Sequence, residues 1–337
     1  MSRATVADVA RLAGVSTATV SRVLTGSVPV SEALRNQVES AATELGYFVN
    51  TAARALRRDR TSTVGMVVPD LTNPFFTTLV DGVERGIQEL GMSLHLCSSS
   101  NSAETEAARV RSLRQSQVEV LVISPVHVTA SEAALNEPGT RIPIVQLDQF
   151  ADGVDSDWVG IDEQRGMRLV FEHLAAQGVR TAAYVGAAPS DSSARGRQEA
   201  ARRQSKAKGV DLNISDALQG AFSVDWGMEA GRRLAQGELP NAIVCAADVI
   251  ALGVMQAFDD AGIRVPEDVL LTGFDDIPLS SYPRLSITTV RQPVQEIADV
   301  TVDIIREIRD DPGGHIQRRV AIRPELIPRH SSDGRIA

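Results

Sequence analysis

The sequence predicts an N-terminal all-α helix-turn-helix head joined to an α/β core of two parallel-sheet subdomains. Three observations predict it: a charge asymmetry, three short amphipathic helices at the start, and strand–helix alternation from residue 63 on. The chain has 337 residues, enough for two or three folding units. Hydrophobic residues make up 43% and charged residues 23%, as in ordinary soluble proteins, and the formal net charge is −9. Residues 1–60 hold eight Arg against five acidic residues, a net of +3, whereas the rest carries −12. A small basic end on a large acidic body fits a DNA-reading head on a separate domain.

The head reads as three helices over residues 4–45. In ATVADVARLAG, Val6, Val9, Ala10 and Ala13 share one face at helical spacing, and Gly14 suits a C-terminal stop. Ser16 is an N-cap candidate for TATVSRVL, where Val20, Val23 and Leu24 point inward. Thr25-Gly26-Ser27 breaks that helix. Ser31 with Glu32 opens the third, whose apolar positions are Leu34, Val38, Ala41, Ala42 and Leu45.

From residue 63 short β-branched runs alternate with amphipathic stretches. The strands are TVGMVVP, SLHLCSS, VEVLVISP, IPIVQLD, WVGID, TAAYVG, AIVCAA, DVLLTGFD and SITTVRQ. Helices are expected at 74–90, 103–116, 163–177, 194–208, 224–236, 248–261 and 293–309. This alternation predicts parallel sheets covered by helices on both faces, and its length asks for two sheets. The strands are short and mostly apolar, as buried parallel strands are. Helix 74–90 carries Leu79, Val80, Val83 and Ile87, more apolar surface than one sheet face needs, so part of it is expected at a subunit interface.

Several function classes are excluded. Cys97 and Cys245 sit in apolar runs without metal-ligand spacing and read as buried, inert thiols. No apolar run approaches a membrane span, and the N-terminus lacks the apolar stretch of a signal peptide, so a cytoplasmic protein is expected. The five histidines show no HExxH or triad spacing, and there is no GxGxxG, Walker A or GxSxG run. An enzyme is not expected, nor a cofactor or metal.

A helix, a turn at Gly14 and a helix from Thr17 to Leu24 match the geometry that lays a recognition helix in the major groove. Thr17, Ala18, Thr19 and Ser21 are exposed at its start, and Arg22 follows one turn on. Arginine is well suited to bidentate guanine readout. On spacing alone, a three-helix cap whose Thr and Ser merely cap remains open.

TVADVARLAGVSTATVSRVLTG, followed by VSEALRNQVESAATELGYFVNTAARALR, resembles the DNA-binding head of the lac repressor/galactose repressor family of bacterial transcription regulators. STVGMVVPDLTNPFF, IPIVQLD, VGIDEQRGMRLVFEHL, SARGRQEA, AIVCAADVIALGVMQAFDDAGIRVPEDVLLTGFDD and SITTVRQP follow in the family's order, so the resemblance spans essentially the whole chain. It implies that Thr17 and Ala18 set base specificity and Arg22 reads a base, while Thr5, Ser16, Thr19 and Ser21 contact phosphates. Asn50, Ala53, Arg54 and Leu56 fall in the family's hinge helix, which folds only when two copies pair over an operator. Leu56 would be the wedge in the minor groove. Val49 stands where a proline is usual.

The resemblance also implies a periplasmic-binding-protein-like core with effector in the crevice between two doubly wound subdomains. Residues 1–48 would be the head, 49–61 the hinge helix and linker, and 62–330 the core. One subdomain would take 62–160 plus 293–325, the other 161–292 plus 326–330, with 331–337 a frayed tail. Phe75 and Phe76 would form an apolar wall. Asp148, Asp162, Arg197, Asp248 and Asp275 would bind hydroxyls, with Phe222 and Trp226 stacking on a sugar ring. Ala200-Ala201 departs from the family's glycine and aromatic, and Asp191 stands where a purine-responsive member has an arginine. The implied function is a repressor of carbohydrate-utilisation genes released from operator DNA by a sugar or sugar derivative. The implied assembly is a homodimer. The alternative is a corepressor-dependent regulator answering to a nucleobase or another small metabolite.

Overall fold

A computed structural model describes residues 4–25, 30–47, 61–138 and 142–334. The chain forms two compact units, Met1–Thr61 and Ser62–Ala337.

In the first unit α1 (Val6–Leu12), α2 (Thr17–Thr25) and α3 (Glu32–Glu44) are the three expected helices. Their starts follow from capping: Thr5 and Asp8 form a reciprocal capping box on α1, and the Ser31 hydroxyl accepts from Leu34 N on α3. Gly14 turns the chain between α1 and α2 at φ +62°, a conformation that favours glycine. The core is the predicted set: Val9, Val20 and Val38 are wholly buried, with Ala10, Ala13, Val23, Ala41 and Ala42 around them. Each such valine contributes about 1.5–3 kcal/mol by leaving water. The Gln37 side chain adds a polar tie, donating to Ala13 O at 2.9 Å.

The second unit opens with β1 (Thr63–Val68), α4 (Pro74–Glu89), β2 (Ser93–Ser98), α5 (Ala103–Gln115), β3 (Val120–Ile123), α6 (Ala130–Leu135), β4 (Ile144–Leu147) and β5 (Asp157–Ile161). It continues with α7 (Glu163–Ala176), β6 (Thr181–Ala187), α8 (Ser192–Lys208), β7 (Asp211–Asn213), β8 (Gln219–Gly220), α9 (Val224–Ala235), β9 (Ala242–Cys245), α10 (Asp248–Asp260) and β10 (Leu270–Thr272). The last elements are β11 (Thr289–Arg291), α11 (Val294–Asp310), β12 (Arg319–Ile322) and β13 (Glu325–Ile327). One parallel sheet runs β12-β5-β4-β3-β1-β2, and the second runs β10-β9-β6-β7 with β8 beside β6. Both are doubly wound, so the crevice faces the carboxyl ends of the strands.

Three segments pass between the sheets: β5 into α7, β11 into α11, and β12 into β13. Two of them pair as an antiparallel ribbon, with Val290 opposite Leu326. Asp276 clamps the same region. It accepts from Arg291 at 2.7 Å on one oxygen and from Arg329 at 2.5 Å on the other.

Three expectations need correction. Leu79, Val80, Val83 and Ile87 of α4 are buried within the chain, because α11 packs along α4 where Gly82 and Gly86 let Ala298 and Val302 approach. That stripe is not spare surface for a subunit interface. The tail is not frayed at its start. The Ser331 hydroxyl donates to Leu271 O at 2.7 Å and the Ser332 hydroxyl to Thr288 Oγ1 at 2.6 Å, and both serines are buried. Cys97 is only half-buried, since β2 is an edge strand with a largely exposed face, whereas Cys245 lies in the core.

Candidate nucleic-acid interface and effector cleft

The outward face of α2 presents Thr17 and Ala18, both exposed, and Arg22 one turn beyond Ala18. Thr19 and Ser21 are half-buried. Ser16 and Thr19 are held locally: Thr19 N donates to the Ser16 hydroxyl at 3.1 Å, and the two hydroxyls lie 2.9 Å apart. Thr5 is likewise engaged, its hydroxyl 2.6 Å from Asp8 Oδ2. The capping role left open by spacing is therefore real for Thr5 and Ser16, and both stay at the surface. Asn50, Ala53, Arg54 and Leu56, with Val49, lie outside the described residues.

In the second unit the cleft centres on Arg197, near the start of α8 and 3% exposed. Its Nε donates to both Glu163 oxygens at 3.1 and 3.2 Å. Its Nη1 donates to Ala246 O at 2.8 Å and to Asp275 Oδ1 at 3.1 Å. The guanidinium lies 3.9 Å from the centre of the Phe274 ring and 5.9 Å from that of Phe222. Gln292 donates to the same Asp275 oxygen at 2.8 Å.

Asp148 follows β4 at φ +60°, and Asp275 and Asp276 sit at +111° and +57°. Non-glycine residues adopt this region at a cost and cluster in functional sites. Asp148 N bonds Val159 O and its carbonyl accepts from Trp158 Nε1, so the backbone is held while Oδ1 stays buried without a partner.

Burial dominates the electrostatics. It raises Asp148, Asp191 and Asp275 above the usual carboxylate range and pushes Glu163 to about 7. Burial alone would depress Arg197, but Glu163, Asp275 and Asp148 hold it charged. The arrangement offers one cation among several carboxylates, with aromatic faces beside them, which suits a hydroxyl-bearing ligand.

Two cavities open beside the cluster. One, of about 310 Å³, is lined by Phe75, Thr78, Asp275, Ile277, Gln292 and Arg291 among others. The other, of about 370 Å³, is lined by Asp148, Asp162, Glu163, Phe150, Trp158 and Ser193 among others. Both draw residues from the two sides of the cleft. The sides also meet directly: Val128 N donates to Ser190 O at 2.9 Å, and Phe150 N to the Ser192 hydroxyl at 2.8 Å.

The candidates thus separate. Phe75, Asp148, Asp162, Arg197 and Asp275 converge on the cleft, with Phe222 at the edge of the guanidinium. Phe76 stands behind Phe75, edge-on at 5.1 Å, in the core. Asp162 also caps α7, accepting from Arg165 N at 2.9 Å. One assignment is corrected. Asp248 faces inward: its oxygens accept from the Thr289 and Ser280 hydroxyls at 2.6 and 2.7 Å and from Ile277 N at 2.9 Å, so its carboxylate is engaged by the fold. Trp226, half-buried, donates to Gly186 O, covers Gly220 and meets Arg233 at 5.6 Å.

Sequence reasoning missed Glu163, Gln292 and the Phe150–Trp158 pair, whose rings meet edge-on at 5.7 Å. Glu163 is disguised as a first-turn acid beside a capping Asp162. The scarcity of tryptophan, two in the chain, was the one signal for Trp158.

Comparison with known proteins finds relatives for both units. Residues 5–50 match the model of bacterial regulatory proteins, lacI family, and residues 171–332 match a periplasmic binding protein-like domain. The ribose operon repressor of Escherichia coli (strain K12) is 34% identical over 332 residues, 98% of this chain and 100% of that protein. The HTH-type transcriptional repressor PurR of Haemophilus influenzae (strain PittEE) is 32% identical, covering 97% and 98%. The lac repressor dimer bound to operator and the anti-inducer ONPF superposes with a TM-score of 0.83 at 26% identity over 98% of this chain and 99% of that one. The CelR–cellobiose complex gives 0.71 at 27% identity, covering 98% and 100%. With both modules in order and a third of its residues shared along almost its full length, the chain belongs to the lacI family of bacterial regulatory proteins.

Proposed function

We propose that the protein is a ligand-responsive transcriptional repressor of carbohydrate-utilisation genes, acting in the cytoplasm as a homodimer on a pseudo-palindromic operator. The observation that carries this reading is the buried Arg197–Asp275 pair, which stands with Asp148 and Phe75 between two subdomains on a chain that also bears a helix-turn-helix head. Thr17 and Ala18 read bases with Arg22, and a two-fold dimer matches two half-sites. Hinge residues Asn50, Ala53, Arg54 and Leu56 complete the DNA surface. The paired crossovers let the subdomains close on a ligand, and whichever state the ligand favours sets operator affinity.

A sugar is preferred to a nucleobase because Asp191 stands where the family resemblance gives a purine-responsive member an arginine, and because the relatives include the ribose operon repressor. The test is a thermal-shift screen of the full chain against monosaccharides, disaccharides and nucleobases, followed by operator titration with each hit. Operators come from selection out of random duplex DNA. A sugar that stabilises the core and lowers operator affinity is the expected result. Stabilisation by hypoxanthine or guanine alone contradicts it.

A further inference from the structure

Away from the three crossovers, polar contacts among the described residues join the two subdomains around the first turn of α8. Val128 N, in the loop after β3, donates to Ser190 O at 2.9 Å. Phe150 N, in the loop after β4, donates to the Ser192 hydroxyl at 2.8 Å. Arg195 reaches Asp152 at 3.4 Å. The two hydrogen bonds are shielded from water, since Val128 is 7% exposed and Ser192 is 6% exposed. Both partners of the ion pair are over a third exposed, so that pair adds little.

Each half of this junction is braced within its own subdomain. Asp152 N donates to Val128 O at 2.8 Å, which ties the two loops to each other. Ala151 N donates to Oε1 of the wholly buried Gln146 at 2.6 Å, and the Gln146 amide donates to the Ser156 hydroxyl at 2.9 Å. Opposite, Asp191 caps α8, its carboxylate accepting from Ala194 N at 2.8 Å. With both halves held, the contacts break together when the subdomains part. A shielded hydrogen bond favours its made form by about two- to ten-fold, net of water. Two that break together hold the open form to roughly one molecule in five to one in a hundred.

We propose that these contacts latch the cleft shut while it holds no effector, so that an effector reaches Arg197 and Asp275 only through a minor open form. Binding captures that form, and the apparent affinity falls by the fraction that is open. This rests on reading the cleft as the effector site.

The test is amide hydrogen exchange on the full chain with no ligand added, read at single residues for wild type and Ser192→Ala. In wild type the Val128 and Phe150 amides should exchange at least about five-fold more slowly than free amides of the same sequence. Ser192→Ala removes the acceptor of Phe150 alone, yet it should speed exchange at Val128 by about two-fold or more, because one latch opens as a unit. Amides of β3 and β9, one strand from each sheet, should keep their wild-type rates, which reports an intact fold. If the variant misfolds, the wild-type rates still decide. Val128 and Phe150 amides that exchange in wild type as freely as in an unfolded chain overturn the inference, since the mouth is then open at rest. A Val128 rate that Ser192→Ala leaves unchanged overturns it too, since the contacts are then separate. Neither result touches the saccharide reading, which the screen of sugars and nucleobases decides by itself.

Discussion

Asp248 accepts the hydroxyl proton of Thr289 at 2.6 Å and so ties the first turn of α10 to a crossover strand. Its other oxygen takes Ser280 and Ile277 N, which fixes the turn after Asp275 and Asp276. The carboxylate that resembled a ligand in sequence is a brace under the ligand-facing loop. Asp248→Ala should therefore destabilise the core by about 3 kcal/mol, since it leaves buried hydroxyls and an N–H without an acceptor. Urea denaturation of residues 62–337, a compact unit of its own, measures this. A midpoint like that of wild type would refute the brace.

The buried acids predict a direction for pH. Burial pushes Glu163 and Asp248 to about 7, above their values in an unfolded chain. The folded state thus favours their protonated forms. Their stabilising contribution is complete below the unfolded values near 4 and is lost as pH rises towards 7. Each group changes stability by at most about 1.4 kcal/mol per pH unit inside that window. Between pH 5 and 7.5 Glu163→Gln should flatten the decline seen in wild type, measured as the shift of the urea midpoint. A slope unchanged by the substitution would mean that Glu163 is already ionised throughout.

On α2, Arg22 is exposed one turn beyond Ala18. Arg22→Ala should relax base preference at one position of each half-site, with a loss of about 1–3 kcal/mol on the selected operator and little on random duplex. Fluorescence anisotropy on both DNAs separates the cases. Equal loss on the two would make Arg22 a phosphate contact.

The elements that sequence foretold are those with strong periodicity. The head's core, from Val9 to Ala42, follows from helical spacing alone, and each central strand announces itself as an apolar run. What escaped has a physical reason. β12 reads RVAI between arginines and a proline, and β13 has three residues between prolines. Neither carries the apolar run of a buried strand. Both owe their shape to partners far along the chain, β5 and β11. In the cleft, Arg197 and Asp275 were legible by family pattern, but sequence holds no record of which way a carboxylate points. Asp248 and Asp148 both follow apolar strands; one turns inward to three donors, and the other keeps an oxygen bare.

The central claim is that one ligand cleft governs one DNA head. Operator affinity of the full chain, titrated with a sugar that raises the melting temperature of the core, tests it most directly, with Arg197→Ala and Arg197→Lys alongside wild type. The account predicts that the sugar changes operator affinity of wild type by about five-fold or more and that operator changes sugar affinity by the same factor. Both variants should lose the response while still binding operator. A sugar that stabilises the core but leaves operator affinity untouched, or a response that survives in both variants, would contradict it.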